Sequence, residues 1–259
     1  SKLAAFGVEV GGYVVQVGDV FADLPETLDE AALRARFAAA QDNDLCCPDP
    51  AALEPMRDLI TRWRKDKDTI GGVFEVIALG LPVGLGSHVQ WDRRLEARLA
   101  LALMSVQAIK GVEVGEGFRH AGQRGTEVHD EIVRDEAGNL SRASNRAGGL
   151  EGGMTTGLPL RLRVAKKPIS TTLNPRRTVD LASGEAAETV YERSDFCALP
   201  RAVPIGEAMV ALVLADALLE KLGGDSLAEM QPRFQALRQA RLEDLPMDDR
   251  VWRLGYEGL

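Results

Sequence analysis

Two short segments carry residue types that could bind and transform an anionic small molecule. The first, Lys167-Pro-Ile-Ser-Thr171, follows a predicted strand and places a cation beside hydroxyl groups, which suits a phosphate. The second, Arg193-Ser-Asp195, places a guanidinium and a carboxylate two residues apart, and so on one side of an extended chain. There Arg193 could bind an anionic substrate while Asp195 manages a proton. The simpler interpretations are a solvated lysine and a local salt bridge, which is weak at a surface.

A glycine-rich segment precedes the predicted strand that leads to Lys167. It contains five glycines within the fourteen residues 144–157. These are Gly148, Gly149, Gly152, Gly153 and Gly157. Glycine tolerates a positive φ and lets the backbone approach a ligand closely. Because charged and polar residues are interleaved, the segment differs from a flexible glycine-serine linker. By itself it is either a tight structural turn or part of a ligand cradle, and its residues leave both open.

Composition limits the classes of function. The net charge of −8 and the pI near 5.1 argue against a general nucleic-acid-binding protein. The cysteines, Cys46, Cys47 and Cys197, form a poor disulfide framework, because their number is odd and two are adjacent. No histidine stands at metal-ligand spacing from them, so a zinc site is not expected. The histidines are predicted to be structural or solvated rather than catalytic: His88, His120 and His129.

The predicted elements indicate one α+β domain over residues 1–259. Strands are expected at 8–17, 73–79, 158–164 and 187–191, and helices at 27–40, 51–65, 92–108 and 204–222. The predicted N-caps are Thr27 or Asp29, Asp49 and Asp92. The last helix is apolar on nearly all sides, which predicts burial between two layers. The expected architecture is therefore a helical core sandwiched between two antiparallel β-sheets.

Three further segments have separate interpretations. The charged run 62–68 is predicted to be the solvated end of the second helix, and the polar stretch 118–144 to be a functional or mobile excursion. The longest uninterrupted apolar run, 208–215, is too short to span a membrane, and no signal peptide is recognisable. A soluble, cytoplasmic protein is therefore expected. Residues 1–7 resemble the last turn of a helix that lacks its beginning, so a fragment truncated at the N-terminus is expected.

Six long motifs, in series and covering essentially the whole chain, resemble chorismate synthase. They are Gly86-Ser-His-Val-Gln-Trp-Asp-Arg-Arg-Leu95, Met104-Ser-Val-Gln-Ala-Ile-Lys-Gly-Val-Glu-Val-Gly115, Glu127-Val-His-Asp-Glu-Ile132, Ser144-Asn-Arg-Ala-Gly-Gly-Leu-Glu-Gly-Gly-Met-Thr155, Lys167-Pro-Ile-Ser-Thr171 and Arg193-Ser-Asp-Phe-Cys-Ala-Leu-Pro200. The resemblance implies a lyase of the shikimate pathway of aromatic amino-acid biosynthesis. That enzyme uses reduced FMN to convert 5-enolpyruvylshikimate 3-phosphate into chorismate and phosphate by 1,4-elimination. It also implies a homotetramer built from the sandwich described above.

The resemblance assigns roles residue by residue. Gln107 and Ala108 would line the flavin, and Arg193 would contact both flavin and substrate. Asp195 would lie near the flavin N5 and help to pass on the substrate's C6 proton. The remaining FMN contacts would be Gly152, Lys167, Pro168, Ile169, Ser170 and Thr171. The motifs leave open whether the protein reduces its own flavin with NADPH.

Some features depart from the family pattern. The N-terminal third, with its catalytic histidines, substrate-binding arginines and an Arg-Ala-Ser flavin contact, is absent from the sequence. Thr156 stands where Asn is commoner, and Lys166 adds a second positive charge beside Lys167. Two hypotheses follow: the chain is part of an active chorismate synthase, or it is a catalytically inactive module that retains only flavin binding or assembly.

Overall fold

A five-stranded antiparallel sheet organises the chain in the computed structural model, which describes residues 2–134, 138–192 and 195–237. The strands are β1 (Glu9–Val17), β2 (Val20–Phe21), β3 (Gly72–Leu79), β4 (Ile109–Val114), β5 (Ile132–Arg134), β6 (Leu140–Arg142), β7 (Leu150–Glu151), β8 (Met154–Thr155), β9 (Leu160–Lys166), β10 (Arg177–Val179) and β11 (Ala186–Glu188). The large sheet has the order β2-β1-β3-β9-β4, and the other strands form the antiparallel pairs β5–β6, β7–β8 and β10–β11.

Helices lie on both faces of this sheet. The helices of the described residues are α1 (Glu30–Gln41), α2 (Pro50–Lys65), α3 (Leu95–Met104), α4 (Gly117–His120), α5 (Gly125–Val128), α6 (Leu199–Leu222) and α7 (Leu227–Gln235). Short 3-10 turns occur at Lys2–Phe6 and Trp91–Arg93. Helix α6 lies against β1 and β3 with α3 beside it, whereas α1 lies on β1. The described residues therefore form an α+β fold with antiparallel pairing, as the sequence predicts.

Apolar and charged side chains alternate along β9, which explains why one face of this strand lies in the core. Leu160, Leu162 and Val164 are completely buried in the cluster that contains α6, while Arg161 and Arg163 point to the opposite face. Successive side chains on a strand face opposite sides, so a period of two separates apolar from charged residues. The predicted strand at 158–164 is confirmed, with a shift of two residues at each end.

Helix α6 buries one long face against the sheet. Its buried residues recur at helical spacing: Leu199, Ala202, Val203, Gly206, Val210, Leu214, Ala217, Leu218 and Leu222. A Cβ on Gly206 would lie 2.7 Å from the Phe74 ring, so glycine permits this close contact. By its length and composition α6 could also cross a membrane. This is weak evidence for a membrane span, because the core helix of a soluble protein meets the same criteria of length and hydropathy. The longest uninterrupted apolar run in the sequence, 208–215, is too short to indicate this property.

The second face of the sheet is covered by α1. Leu33 and Phe37 of this helix pack with Tyr13, Ile77 and neighbouring apolar side chains in a separate small cluster. The side chain of Asp29 accepts a hydrogen bond from the Ala31 amide and caps the helix, as expected. Because α1 occupies this face, the sheet has helices on both sides in the described part of the chain.

Several predicted boundaries were wrong for identifiable reasons. Asp92 does not cap α3: residues 91–93 form a 3-10 turn, and Arg94 occupies the N-cap position without a side-chain bond. Helix α6 begins at Leu199, with Pro200 in the first turn, where a proline is tolerated, and Pro204 lies inside the helix rather than at its start. The predicted strand at 187–191 is shorter and belongs to the β10–β11 hairpin. The polar stretch 118–144 contains α4, α5 and the β5–β6 hairpin among its described residues.

Candidate active site

Three of the predicted flavin residues meet at one end of the large sheet, where β9 ends and β4 begins. The Lys167 amide donates a hydrogen bond to the Ala108 carbonyl over 2.9 Å. Beside it, the Lys166 ammonium lies 3.2 Å from the Gln107 carbonyl. These bonds continue the pairing of Lys166 with Ile109 in the two strands. Residues that are about sixty positions apart in sequence are thereby neighbours.

Ala108 has a backbone conformation that is unusual for a residue with a side chain. Its φ is +68°, in the left-handed region, which costs an alanine about 1 kcal/mol. This conformation occurs between the end of α3 and the start of β4, where the chain reverses toward the sheet. Strained backbone of this kind is concentrated at functional sites. It supports a role for Ala108 beyond that of a connection.

The segment 167–171 leaves the sheet and presents polar groups to solvent. The side chains of three of its residues are exposed: Lys167, Pro168 and Ser170. Ile169 is half-buried, and its carbonyl accepts a 2.6 Å hydrogen bond from the Thr69 hydroxyl. An exposed ammonium and an exposed hydroxyl three residues apart form a donor set that fits the phosphate of a nucleotide cofactor such as FMN.

The second predicted segment lies beside the first. Arg193 falls outside the described residues. The Asp195 carboxylate is 2.6 Å from the guanidinium of Arg201 in the first turn of α6. The alternative of a local salt bridge between Arg193 and Asp195 therefore stays a prediction, and within the described residues the carboxylate pairs with Arg201. The next residue, Phe196, accepts a 2.9 Å hydrogen bond from the Ile70 amide, directly after Thr69 in sequence.

Burial sets the protonation of two nearby groups. Desolvation lowers the pKa of the Lys166 ammonium. Burial raises the pKa of the Cys197 thiol, and Asp195 adds to that effect. Cys197 is therefore an uncharged thiol near neutral pH rather than an activated nucleophile.

Gly152 occupies the tight turn between β7 and β8. It is exposed with φ +60°, and a Cβ at this position would meet no atom within 4 Å. By contrast, a Cβ on Gly148, Gly149 or Gly153 would lie 2.4–2.6 Å from other backbone atoms. A cavity of about 710 Å³ borders the same hairpin, with Glu151 among its lining residues. The crowded glycines are structural, and Gly152 is left open to its surroundings.

The structure does not bring Gly152 into contact with Lys167. Gly148 accepts a bond from the Arg161 amide at the start of β9, while Lys167 follows the end of this seven-residue strand. At about 3.3 Å per residue the two ends are roughly 20 Å apart. Helix α3 gives a similar separation. The Gly153 carbonyl accepts a hydrogen bond from the Leu95 amide at the start of this ten-residue helix, and the end of the helix is about 15 Å from its start.

Asp130 orders the glycine-rich segment, a role that the sequence analysis missed. Its buried carboxylate accepts hydrogen bonds from the Ser144 hydroxyl and, at 2.9 Å each, from the Arg146 and Ala147 amides. Burial alone would raise the pKa of Asp130, but these bonds outweigh burial and hold its pKa below the ordinary value. Thr156, at the position where Asn is commoner, accepts a weak 3.4 Å bond from the Leu158 amide.

The end of α2 makes a contact that the sequence did not predict. Residues 62–67 are exposed, as predicted for a solvated end. However, the Arg64 guanidinium lies 5.6 Å from the centre of the Phe196 ring. The basic run in the sequence indicated that cations would be present at this helix end, but no neighbouring residue indicated which segment of the chain they would contact. His88 and His129 are exposed, and His120 lies 3.9 Å from Glu116, whose amide donates a hydrogen bond to the Arg146 carbonyl of the glycine-rich segment.

Comparisons with known proteins agree with the order of the motifs. A family model described as "Chorismate synthase" matches residues 1–219. A relative named chorismate synthase from Desulforudis audaxviator is 54% identical over 229 residues, which are 88% of this chain and 57% of the relative. A second, from Geobacter sulfurreducens, is 50% identical over 240 residues, or 90% of this chain and 60% of the relative. The chain thus spans little more than half the length of these relatives.

A solved structure is also similar. It is entitled "Crystal Structure of Chorismate Synthase" and aligns with a TM-score of 0.77 at 42% sequence identity. The alignment covers 90% of this chain and 63% of that chain. At 42% identity the two chains are alike in sequence as well as in fold.

Proposed function

The chain belongs to the chorismate synthase family, and from this premise we propose that the protein catalyses the family's reaction. In that reaction 5-enolpyruvylshikimate 3-phosphate loses its phosphate and the C6 proton, and the product is chorismate. The observation that carries the proposal is the hydrogen bond between Lys167 and Ala108, which joins two of the family's flavin motifs at one sheet end. The proposed location is the cytoplasm, together with soluble biosynthetic enzymes.

The proposed roles follow from exposure and contacts. Lys167, Ser170 and Thr171 would hold the FMN phosphate, with Pro168 and Ile169 shaping the segment. Gln107 and Ala108 would line the ring, where the left-handed Ala108 turns its carbonyl to the Lys167 amide. Bound in its reduced form, FMN supplies electron density that assists departure of phosphate without net oxidation.

Proton and charge handling would fall to the segment that precedes α6. Asp195 would hold the substrate's C6 proton near the flavin N5, and its pairing with Arg201 orients the carboxylate. Arg193 would bind the anionic substrate and stabilise the departing phosphate, since a fixed cation stabilises charge that develops in the transition state. For Gly152 to contact the same flavin, that flavin would have to extend along most of the length of α3.

The outer face of the helix layer supports the proposed sandwich. Ile205, Leu212 and Leu219 of α6 are exposed, as are Leu101 and Met104 of α3. The α6 residues recur every seven positions, so they form one apolar stripe. We propose that a second antiparallel sheet covers this stripe in the complete enzyme, and that the enzyme is a homotetramer.

Lys167→Ala tests the proposed cofactor site. The variant is expected to weaken binding of FMN by at least about tenfold, because a charge-assisted phosphate contact is lost. The matched control is Lys221→Ala, an exposed lysine in the last turn of α6. Anaerobic release of phosphate from the substrate with reduced FMN is measured in parallel. Equal FMN affinity in both variants would refute the site, and FMN binding without phosphate release would favour the inactive flavin-binding module.

A further inference from the structure

The turn between α2 and β3, residues 66–71, contacts both segments of the proposed flavin site. The Thr69 hydroxyl donates to the Ile169 carbonyl over 2.6 Å, across one hundred residues of sequence. The next amide, that of Ile70, donates to the Phe196 carbonyl over 2.9 Å. Consecutive residues of one turn thus bind the segment that carries Lys167 and the segment that carries Asp195.

Other contacts attach the same turn to the chain beyond Thr171. The Leu173 amide donates to the Lys67 carbonyl over 3.1 Å, and the Asn174 side chain donates to the Asp66 carbonyl over 2.8 Å. Lys67 adopts a left-handed φ of +60° at this place. The segment from Ile169 to Asn174 is therefore attached to the α2–β3 turn at three points rather than lying free over the surface.

Gly71 brings the two backbones into direct contact. A Cβ at this position would lie 2.4 Å from the Lys166 carbonyl oxygen and 2.9 Å from the Pro168 nitrogen. Its φ is not in the left-handed region, so the glycine is required by space rather than by conformation. Residues 166–168 consequently have little room to move relative to β3.

We propose that Thr69 is a positioning residue for the flavin site: its hydroxyl sets the place of the Lys167–Thr171 segment relative to Asp195. This proposal rests on the proposed function, because it takes FMN to bind at that segment. Thr69 is only 3% exposed, so its bond to Ile169 is shielded from water. Without the hydroxyl, the Ile169 carbonyl would lose its partner, and the segment would shift to reach solvent. The substrate and flavin groups would then be misaligned although Thr69 touches neither.

Thr69→Val tests the proposal with FMN affinity as the readout. The dissociation constant of FMN is expected to rise about tenfold, the effect of one lost buried hydrogen bond. Thr69→Ser retains the hydroxyl and is expected to restore wild-type affinity. The control is Asp49→Ala, which removes the cap at the other end of α2, about 24 Å away. It should lower the melting temperature but leave the FMN affinity unchanged.

Amide hydrogen exchange provides a readout that does not depend on FMN. The amide of Leu173 is expected to exchange faster in Thr69→Val than in the wild-type protein or in Asp49→Ala. Unchanged exchange in Thr69→Val would overturn the positioning role, and so would an FMN affinity that falls equally in Thr69→Val and Asp49→Ala. Failure of the wild-type protein to bind FMN would instead refute the proposed function, and the exchange result would still decide whether Thr69 holds the segment.

Discussion

Replacement of Asp130 by asparagine is expected to destabilise the protein in a pH-dependent manner. The Asp130 side chain is 7% exposed and accepts hydrogen bonds from a hydroxyl and two backbone amides of the glycine-rich segment. Hydrogen bonds to a charged group contribute about 1.5–3 kcal/mol each to stability. Asparagine keeps one acceptor oxygen but turns an NH₂ group toward a donor. The loss of one such bond predicts a destabilisation of about 2–3 kcal/mol at neutral pH.

The pH dependence has a definite sign. The pKa of Asp130 is lower in the folded protein than its ordinary value, so the carboxylate stabilises the fold fully above about pH 4. As the pH falls below that value, the unfolded chain binds the proton first and the stabilisation diminishes. It is lost when the pH falls through the folded pKa. The difference in stability between the wild-type protein and Asp130→Asn should therefore shrink toward zero in acid.

Urea unfolding from neutral pH down to about pH 3 measures this difference. The control is Asp180→Asn, because Asp180 accepts bonds from the Ala182 and Ser183 amides in the same manner but is exposed. Hydrogen bonds also lower the pKa of Asp180, but solvent screens this exposed carboxylate, so Asp180→Asn should shift the unfolding midpoint much less than Asp130→Asn does. A stability difference for Asp130→Asn that is small at neutral pH, or that does not change with pH, would refute the reasoning.

Two further predictions concern packing. Gly71→Ala should destabilise the protein by at least about 2 kcal/mol, because the new Cβ would overlap backbone atoms. Gly122→Ala is the control, since the nearest atom to its Cβ would be 3.8 Å away, and it should change stability by less than about 1 kcal/mol. Equal unfolding midpoints for the two variants would contradict the contact described for Gly71. Leu214→Ala should cost about 2–5 kcal/mol, since Leu214 is fully buried. Leu212→Ala should have almost no effect on this chain, where Leu212 is 65% exposed, and a large loss in both variants would show that the face is already covered.

Local patterns in the sequence were sufficient for much of the fold. The alternation in β9 and the caps at Asp29 and Asp49 depend on residues within a few positions of one another. These signals are periodicity and short hydrogen bonds, which do not require knowledge of distant segments. The failure at Asp92 has the opposite cause, because the start of α3 is bonded to Gly153. A cap can be replaced when a distant segment satisfies the helix terminus.

The candidate site was predictable only in part. The motifs identified Gln107, Ala108 and Lys167, and the register of β4 against β9 brings them together. No motif indicated Thr69, whose partner is one hundred residues away, or the pairing of Asp195 with Arg201. The roles of all the candidate site residues, Arg193 and Gly152 among them, stay predictions.

By itself the sequence determined the family, the antiparallel α+β class and the residue types available for binding FMN. These properties follow from residue order and from short-range periodicity. The tertiary structure alone decided that the glycine-rich segment contacts the start of β9 whereas Lys167 follows the end of that strand, and that the Thr69 hydroxyl is bonded to the Ile169 carbonyl. The physical reason is that strand register and helix packing are set by the burial of whole faces. Distances between segments far apart in the chain therefore depend on all of the packed elements together, and no single motif contains that information.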